Sequence, residues 1–579
     1  MIRLLRHMRL RDVLLTLLSL GFTLLRTYFE LRLPDFMSNV TTLVQTPGSP
    51  MDDVLRAGGN MLLCALGAFL SAVMIAGLSS RIAANFSMGL REKQFERVSS
   101  FSMEEMSRFS TASLITRSTN DITQIQHYVG MGIRMLFRAP ITAIWAVTKI
   151  ARKGEAWSIA TGVALVIMFA MLAVVFGLAM PRFKRVPKLT DAINRIAREN
   201  LTGIRVVRAY NAEWYQEGKF EDANKALTKN NLLAHRIMRI QGPSMGLIMN
   251  GLSVSIYAIG AVLIMRSAVP DRLPIFSDMI VFMRYAVHVV MSFMVLTMFF
   301  VMAPRAAISA NRINEVLDTE PSIRDGEEAP EHLMGAIEFR NVSFRYPDAN
   351  ECVLKDISFR IAPGETVAFI GATGSGKSTL LNLVPRFYDP TEGQVLIDGK
   401  DVRSYTLHSL RDAMGYVPQT AFLFSGTIAD NIDYGDRTTD VTLHHAASNA
   451  EIASYIENLP EGYDAPVARG GTNYSGGQKQ RISIARAIHR APSIYLFDDS
   501  FSALDYATER RVRRSLERET AEATTLIVAQ RIGTVRDADR IIVLDEGRVV
   551  GNGRHDELLK TCSVYREIAL SQLSLEELD

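Results

Sequence analysis

A glycine-rich segment, residues 371–379, has the spacing of a phosphate-binding loop. It fits the pattern G-x-x-x-x-G-K-[ST] and directly follows a β-rich run at residues 366–370. In such a loop, backbone N–H groups at a helix start surround phosphates, the lysine reaches the β- and γ-phosphates, and the next hydroxyl holds Mg²⁺. The sequence therefore predicts a nucleotide site formed by Gly371, Thr373, Gly374, Ser375, Gly376, Lys377, Ser378 and Thr379.

The second element of this site is an apolar run at residues 494–497 that ends in Asp498. A buried strand that delivers a carboxylate to the metal ion accompanies the phosphate-binding loop in nucleotide hydrolases. We therefore expect Ser378 and Asp498 to hold Mg²⁺ together.

A third segment, made of Ser475, Gly476, Gly477 and Gln478, opens a predicted helix that includes residues 482–489. Small residues at a helix start make a second anion site. One triphosphate needs only one such site, which favours a head-to-tail dimer in which this segment covers a nucleotide held by another subunit. A flexible glycine hinge is the alternative.

The elements that must position these residues alternate between strands and helices. Short β-rich runs at residues 366–370, 494–497, 525–528 and 541–544 are separated by helical stretches, the pattern of βαβ units on a largely parallel sheet. An acidic segment broken by Pro and Gly precedes them. We predict a linker at residues 319–335 and a soluble α/β domain at residues 336–579.

The composition of the whole chain points to a membrane protein with a soluble domain. Of its 579 residues 48% are hydrophobic and 22% charged, which excludes a disordered or collagen-like chain. Residues 1–318 carry 36 Lys and Arg against 21 Asp and Glu (+15), and residues 319–579 carry 28 against 40 (−12). The basic residues of the first part alternate with long apolar runs, so a lipid bilayer fits them better than nucleic acid. The three scattered cysteines are expected to be buried thiols.

Six apolar runs in residues 1–318 are long enough to cross a hydrocarbon core of about 30 Å. They are residues 13–33, 61–78, 131–150, 157–180, 245–265 and 276–302. Basic residues are dense at 81–117 and 182–239, so the positive-inside rule places both termini in the cytoplasm. The prediction is a multi-pass protein of the cytoplasmic (inner) membrane, with long helical extensions on the cytoplasmic side.

Ionisable side chains within or near the spans are costly in lipid and by default face a bundle interior or an aqueous cavity. They are Arg26, Glu30, Arg134, Arg138, Asp278, Arg284 and His288. Snorkelling to a lipid headgroup is the alternative, which we favour for Arg134 and Arg138. Asp278, Arg284 and His288 remain candidates for lining a pathway.

Six spans followed by one such nucleotide domain resemble a half-transporter of the ATP-binding cassette (ABC) exporter superfamily, in its multidrug and lipid exporter branch. The resemblance covers essentially the whole chain. It implies a six-helix transmembrane domain of the type IV (type I) exporter fold at residues 1–318 and an ABC nucleotide-binding domain of the P-loop NTPase class that binds ATP and Mg²⁺.

The resemblance also assigns roles to single residues. It implies that Tyr346 stacks on adenine, that Gln419 links Mg²⁺ to the membrane domain, and that Asp505 lies in a loop crossing a dimer interface. The segment from Ser475 to Gln478 would be the family's signature motif. Coupling helices are implied near residues 113–121 and 208–213.

Two positions depart from the family pattern, and both belong to hydrolysis. Where the family places a catalytic Glu after Asp498 this chain has Asp499, and where it places a His after the strand at residues 525–528 this chain has Gln530. The nucleotide-binding residues are intact, and the signature departs only at Tyr474. We therefore predict slow hydrolysis here and a heterodimer whose partner half-transporter supplies the Glu and His. Tolerated drift in a slow homodimer is the alternative.

The predicted function is ATP-driven export of hydrophobic or amphipathic compounds, as in multidrug exporters. The alternatives are a homodimeric exporter of a lipid, peptide or siderophore and a membrane-anchored regulatory ATPase. The six spans exclude a soluble ATPase with the same nucleotide domain, and an importer is disfavoured because importers of this superfamily usually place spans and nucleotide domain on separate chains.

Overall fold

Long helices fill the first 318 residues in the computed structural model, which describes residues 2–46, 48–151, 154–435 and 441–572. Contacts divide the chain into a first unit, Met1–Val98 with Ala112–Asp318, and a second unit, Ser99–Thr111 with Thr319–Asp579. The predicted domain limits place residues 99–111 with the membrane domain, whereas these residues pack in the second unit. Residues 1 and 573–579, at the ends of the predicted domains, lie outside the described residues.

The helices up to residue 318 follow the apolar runs of the sequence and extend beyond them. They are α1 (Ile2–Leu5), α2 (Leu10–Gln45), α3 (Met51–Ser99), α4 (Met103–Arg108), α5 (Thr111–Thr116), α6 (Ile122–Met135), α7 (Arg138–Ala151), α8 (Glu155–Thr202), α9 (Ile204–Ala209), α10 (Glu213–Arg239), α11 (Gln241–Arg266) and α12 (Val269–Asp318). Among the described residues, five helical segments are long and apolar enough to cross a membrane: α2, α3, α8, α10 with α11, and most of α12. Five of the six predicted spans lie within them.

The third predicted span, residues 131–150, is not one continuous helix. It is divided between α6 and α7, which Leu136 and Phe137 separate. Pro140 accounts for the break, because proline has no N–H and its ring crowds the carbonyl four residues earlier, that of Leu136. Length and hydropathy alone do not reveal such an interruption.

The two predicted coupling segments differ in structure. Residues 113–121 are helical, since α5 continues through a π-helical turn, Arg117–Asp121, into α6. Residues 208–213 are not a helix, because α9 ends at Ala209 and α10 begins at Glu213. The second segment therefore spans a turn between two helices, and the short helix Ile204–Ala209 overlaps its first two residues.

The nucleotide domain contains twelve strands among its described residues. They are β1 (Ile337–Phe344), β2 (Leu354–Ile361), β3 (Thr366–Gly371), β4 (Glu392–Ile397), β5 (Lys400–Asp401), β6 (Met414–Val417), β7 (Gly426–Thr427), β8 (Pro466–Val467), β9 (Ile494–Asp498), β10 (Thr524–Val528), β11 (Arg540–Asp545) and β12 (Arg548–Gly553). The helices are α13 (Lys377–Leu383), α14 (Leu407–Asp412), α15 (Ile428–Ile432), α16 (Leu443–Asn449), α17 (Ala453–Glu457), α18 (Gly476–His489), α19 (Tyr506–Glu519), α20 (Ile532–Val535), α21 (His555–Thr561) and α22 (Ser563–Gln572).

The main sheet has the order β12-β11-β3-β10-β9-β6 and is parallel except for the edge strand β12. All five residues of β9 are buried, as expected for a strand covered on both faces. The four β-rich runs found in the sequence correspond to β3, β9, β10 and β11, so the predicted parallel sheet is confirmed. A second sheet of order β2-β1-β4-β5, whose pairs are antiparallel, was not predicted.

The segment 99–111 is held in the second unit by a buried carboxylate. Glu105, 5% exposed, accepts hydrogen bonds from the backbone N–H of Ser102 (2.8 Å) and of Ser322 (3.0 Å). The hydroxyls of Ser102 and Ser322 lie 2.9 Å apart. Glu105 therefore ties the segment that follows α3 to the linker that follows α12.

We expect Glu105→Gln to lower the melting temperature of the purified protein at pH 7 by about 4 °C, since a hydrogen bond to a buried charge contributes about 1.5 kcal/mol. Burial favours the neutral acid, but the hydrogen bonds from Ser102 and Ser322 outweigh it and hold the pKa of Glu105 below its ordinary value of 4.5. A lowered pKa stabilises the fold above pH 4.5, and this stabilisation is lost as the pH falls through the lowered pKa. The difference between wild type and variant should therefore shrink in acid. The exposed neighbour Glu104 provides the control: a variant Glu104→Gln that is as unstable as Glu105→Gln would contradict this role.

The burial of the three cysteines differs from the prediction. Cys562 is buried, but Cys64 and Cys352 are partly exposed, so the prediction of three buried thiols is wrong for two of them.

Candidate nucleotide site

The parallel sheet brings the predicted site residues to one edge. Strand β10 lies between β3 and β9, with Val528 paired to Phe369 on one side and to Asp498 on the other. The site residues therefore meet at the carboxyl ends of adjacent strands: the loop follows β3, the aspartates end β9, and Gln530 follows β10. Ligands of open α/β sheets bind at this edge.

The glycine-rich loop has the backbone that phosphate binding requires. Gly374 and Gly376 have φ values of +84° and +98°, and Gly376 directly precedes α13. A Cβ atom on Gly376 would lie 2.7 Å from the Leu354 side chain. Position 376 therefore requires glycine, because its φ is positive and a Cβ atom would come too close to Leu354. The free N–H groups at the start of α13 follow at once, so the loop fits a phosphate group.

Lys377 lies folded over the same loop. Its Nζ donates to the carbonyl oxygens of Gly371 and Ala372, both at 2.8 Å, and the residue is 7% exposed. Burial lowers the pKa of Lys377, and the nearby Asp498 and Asp499 oppose this shift. A buried cation at a helix start is suited to the outer phosphates of a nucleotide.

The two predicted metal ligands are in contact. The Ser378 hydroxyl, on α13, donates to Asp498 Oδ1 at 2.7 Å, and Asp498 is 5% exposed at the end of β9. Burial raises the pKa of Asp498, with Asp499 adding to the shift, although the hydrogen bond from Ser378 and the Lys377 charge oppose it. A hydroxyl and a carboxylate from adjoining elements are the hard oxygen donors that Mg²⁺ prefers, so the donor set fits this ion.

Two predicted site residues, Gln419 and Gln530, converge on one oxygen atom of a third, Asp499. Asp499 Oδ2 accepts hydrogen bonds from Gln530 Nε2 at 2.9 Å and from Gln419 Nε2 at 3.2 Å. Asp499 has a φ of +46°, and its backbone N–H donates to Val528 O at 2.9 Å. Burial raises the pKa of the Asp499 carboxyl, although the amides of Gln419 and Gln530 and the charge of Lys377 oppose this. The side chain is thus held in one position by two amides.

Tyr346 lies at the rim of this group. Its hydroxyl is 3.0 Å from Thr379 Oγ1, and its ring packs edge-on against Phe344 and Tyr388. The tyrosine is half-buried, and these contacts fix its ring beside α13.

The segment from Ser475 to Gln478 forms a separate helix start. The backbone N–H of Gln478 donates to the Ser475 hydroxyl (3.3 Å), and the Gln478 side chain accepts from the Ser475 N–H (2.8 Å), which is a capping box at the start of α18. Among the described residues, neither side chain has a hydrogen bond to the loop at 371–379. Asp505 caps the next helix, α19, by accepting from the Thr508 N–H at 2.9 Å. These residues are therefore not brought to the phosphate loop of their own chain.

Sequence reasoning missed Gln480, which connects α18 to the segment that carries Gln419. It is 2% exposed, and its Nε2 donates to Pro418 O at 3.1 Å, next to Gln419. A glutamine on a helix is usually exposed to solvent, so the sequence alone does not indicate that Gln480 is buried. Its contact with Pro418 is evident only from the packing of α18.

Known proteins match the chain over nearly its whole length. The family model for the ABC transporter transmembrane region matches residues 16–293, and the model for the ABC transporter domain matches residues 354–502. An ABC transporter ATP-binding protein of Mycobacterium tuberculosis is 38% identical over 526 residues, covering 90% of this chain and 88% of the relative. The ATP-dependent lipid A-core flippase of Syntrophus aciditrophicus is 34% identical, covering 88% of this chain and 83% of the flippase.

A solved structure agrees with both domains. A bacterial Atm1-family ABC exporter with ATP bound superposes with a TM-score of 0.80 at 27% identity, covering 98% of this chain and 99% of the exporter. The predicted fold class, a transmembrane exporter domain followed by an ABC nucleotide-binding domain, is thereby confirmed. With the site geometry and the sequence matches, it follows that the chain belongs to the ABC transporter family, as an exporter half-transporter that couples ATP binding and hydrolysis to transport.

Proposed function

We propose that this chain is one half of a heterodimeric exporter of hydrophobic or amphipathic compounds, and that its own nucleotide site binds Mg-ATP but hydrolyses it slowly. The observation that carries the proposal is the position of the Asp499 carboxylate, whose Oδ2 is bonded by the amides of both Gln419 and Gln530. In the resembling family a longer glutamate and a histidine occupy the positions of Asp499 and Gln530.

Two features of this arrangement favour slow hydrolysis. The aspartate is one methylene shorter than glutamate, so its carboxylate is withdrawn from the position where a water would be polarised, and a displacement of about 1 Å costs about a hundredfold in rate. Gln530 donates a hydrogen bond but cannot become cationic, so it offers less stabilisation to charge developing on a phosphate than a histidine does.

The binding half of the site is intact. Lys377 would hold the β- and γ-phosphates, and Ser378 with Asp498 would hold Mg²⁺, which would help to neutralise the phosphate charge. Tyr346 would stack on the adenine. A site with binding groups in place and impaired hydrolytic groups would retain its nucleotide.

The preserved signature segment supports a role in a partner's site. Its capping box is formed, and Tyr474, the one departure, is 9% exposed with its hydroxyl bonded to Pro466 O at 3.2 Å. The altered side chain is thus packed inside the domain and leaves the helix start free to cover a nucleotide held by a second half-transporter.

The proposed location is the cytoplasmic (inner) membrane, with both termini and the nucleotide domain in the cytoplasm. It rests on the dense basic residues at 81–117 and 182–239. The second candidate function, a homodimeric lipid exporter, is favoured by the 34% identity to a lipid A-core flippase.

ATP turnover of the chain in nanodiscs at saturating Mg-ATP, alone and co-expressed with a candidate partner half, tests the proposal. We expect background turnover alone and restored turnover with a partner that has the Glu and His. A complex whose partner lacks its own phosphate-loop lysine is the control and should stay inactive. Robust turnover by this chain alone would contradict the proposal and favour the homodimer.

A further inference from the structure

A group of ionisable side chains lies together inside the predicted spans of the first unit. Arg26 Nε donates to Glu30 Oε1 at 2.8 Å, and Arg138 Nη2 donates to both oxygens of Glu30, at 3.1 and 3.0 Å. His288 interacts electrostatically with Glu30, Arg138 and Arg284. We call these five residues, contributed by α2, α7 and α12, the midspan basic cluster.

The positive charges of this cluster exceed its negative charges. The cluster contains three arginines and one carboxylate, Glu30, which bonds to Arg26 and Arg138, so two positive charges are not balanced within it. A neighbouring network lies on the same three helices: Asp35 accepts from Lys149 Nζ at 2.8 Å and from the Tyr285 hydroxyl at 2.7 Å, and Arg32 interacts electrostatically with Tyr285.

The depth of the cluster makes this excess costly. His288 lies near the middle of the predicted span 276–302, and Arg138 begins α7 at the break within the predicted span 131–150. The sequence position of Arg138 favours snorkelling, and in the structure its guanidinium group pairs with Glu30 at 3.0 Å. Charged groups at this depth mark substrate or ion pathways.

The helix break adds to the positive potential. Helix α7 starts at Arg138, so its unpaired N–H groups and the positive end of its dipole lie beside the cluster. Broken spans in transporters direct such helix starts at anionic substrate groups. One turn along the same face of α7, Thr142 is 2% exposed, and its hydroxyl has no hydrogen-bond partner among the described residues.

Two of the arginines remain accessible. Arg284 is exposed and has neither a hydrogen bond nor a salt bridge within the described residues, and the Arg138 side chain is 38% exposed even though it binds Glu30. An incoming anion thus meets two guanidinium groups without displacing Glu30.

We propose that the midspan basic cluster binds the anionic headgroup, a phosphate or carboxylate, of an amphipathic substrate. This inference rests on the proposed export function and names the substrate class. Guanidinium groups pair with phosphate and carboxylate through two parallel hydrogen bonds, and a substrate that supplies the missing negative charge removes the cost of the unpaired arginines in the span.

The test measures binding of radiolabelled dodecyl phosphate to the full chain in phosphatidylcholine nanodiscs without nucleotide. Dodecanoate should compete, whereas dodecylphosphocholine and dodecyltrimethylammonium should compete at least about tenfold less well. Equal competition by all four amphiphiles would overturn the proposal. Competition by inorganic phosphate at the same concentrations would overturn the amphiphile requirement, because the site would then take a free anion.

Two charge variants should change the affinity for dodecyl phosphate in opposite directions. We expect Arg284→Gln to weaken dodecyl phosphate binding about tenfold, the loss for one hydrogen bond between charged groups, and Glu30→Gln to tighten it. Arg134→Gln is the matched control, because Arg134 is exposed and donates to Gly130 O on its own helix. Unchanged binding in Arg284→Gln, whose side chain holds no fold contact, would overturn the proposal. Since this assay uses no ATP, failure of the proposed export function would appear separately, as ATP turnover of the partnered complex that is insensitive to every amphiphile.

Discussion

Replacing Asp499 with glutamate and Gln530 with histidine should raise the ATP turnover of the purified chain about a hundredfold. The longer side chain returns the carboxylate to the position from which it polarises water, and the histidine supplies a group that can carry positive charge. The two changes also release the present carboxylate from one of its two amides, because Gln530 Nε2 no longer holds Oδ2.

Turnover is measured in nanodiscs at saturating Mg-ATP, with each single variant beside the double variant. Adding Lys377→Ala to the double variant should abolish the gain, which assigns the activity to this chain's own loop. Asp499→Asn should change the turnover of the complex with a partner by less than about twofold, because the partner's site carries the cycle. An unchanged rate in the double variant would show that these two residues do not limit hydrolysis.

Replacing Ser475 with arginine should reduce the turnover of the partnered complex by at least about a hundredfold, since it removes anion-binding groups at the catalytic site. The arginine side chain would fill the space at the start of α18 that a phosphate would occupy and would remove the capping box. Binding of Mg-ATP to this chain's own loop should be unaffected, because Ser475 has no hydrogen bond to that loop among the described residues.

Two variants separate the explanations for such a loss. Ser475→Ala removes only the cap, at a cost of about 1 kcal/mol, and Ser454→Arg places the same charge at an exposed site on α17. Full turnover in Ser475→Arg would mean that this helix start completes no nucleotide site.

The parts that the sequence predicted well are those specified by local spacing. The phosphate loop needs particular residues within nine positions. The parallel strands β3, β9, β10 and β11 are nearly continuous apolar runs. Both features can therefore be predicted without knowledge of the fold. The antiparallel sheet is harder to predict because its strands β1 and β4 pair although about fifty to sixty residues separate their partners, and their register depends on contacts that a single strand does not encode.

The contacts between the site residues could not be predicted from the sequence. The identities of Asp499 and Gln530 pointed to weak hydrolysis, yet nothing in their spacing indicates that Gln419 and Gln530 bond the same carboxylate oxygen. The midspan basic cluster has the same limitation, since Glu30 and Arg138 belong to different helices and their pairing depends on the break before α7.

The assignment of residues 99–111 to the second unit has a consequence for biosynthesis. Translation delivers this segment about 200 residues before residue 319, so at 5–20 residues per second Glu105 is made roughly 10 to 40 s before Ser322, and the rest of the nucleotide domain follows later. A fragment that starts at residue 319 would lack this segment, and the surface of the domain that the segment covers would be exposed to water. The nucleotide domain of this chain is therefore completed only by a piece of polypeptide that leaves the ribosome before the domain itself has been made.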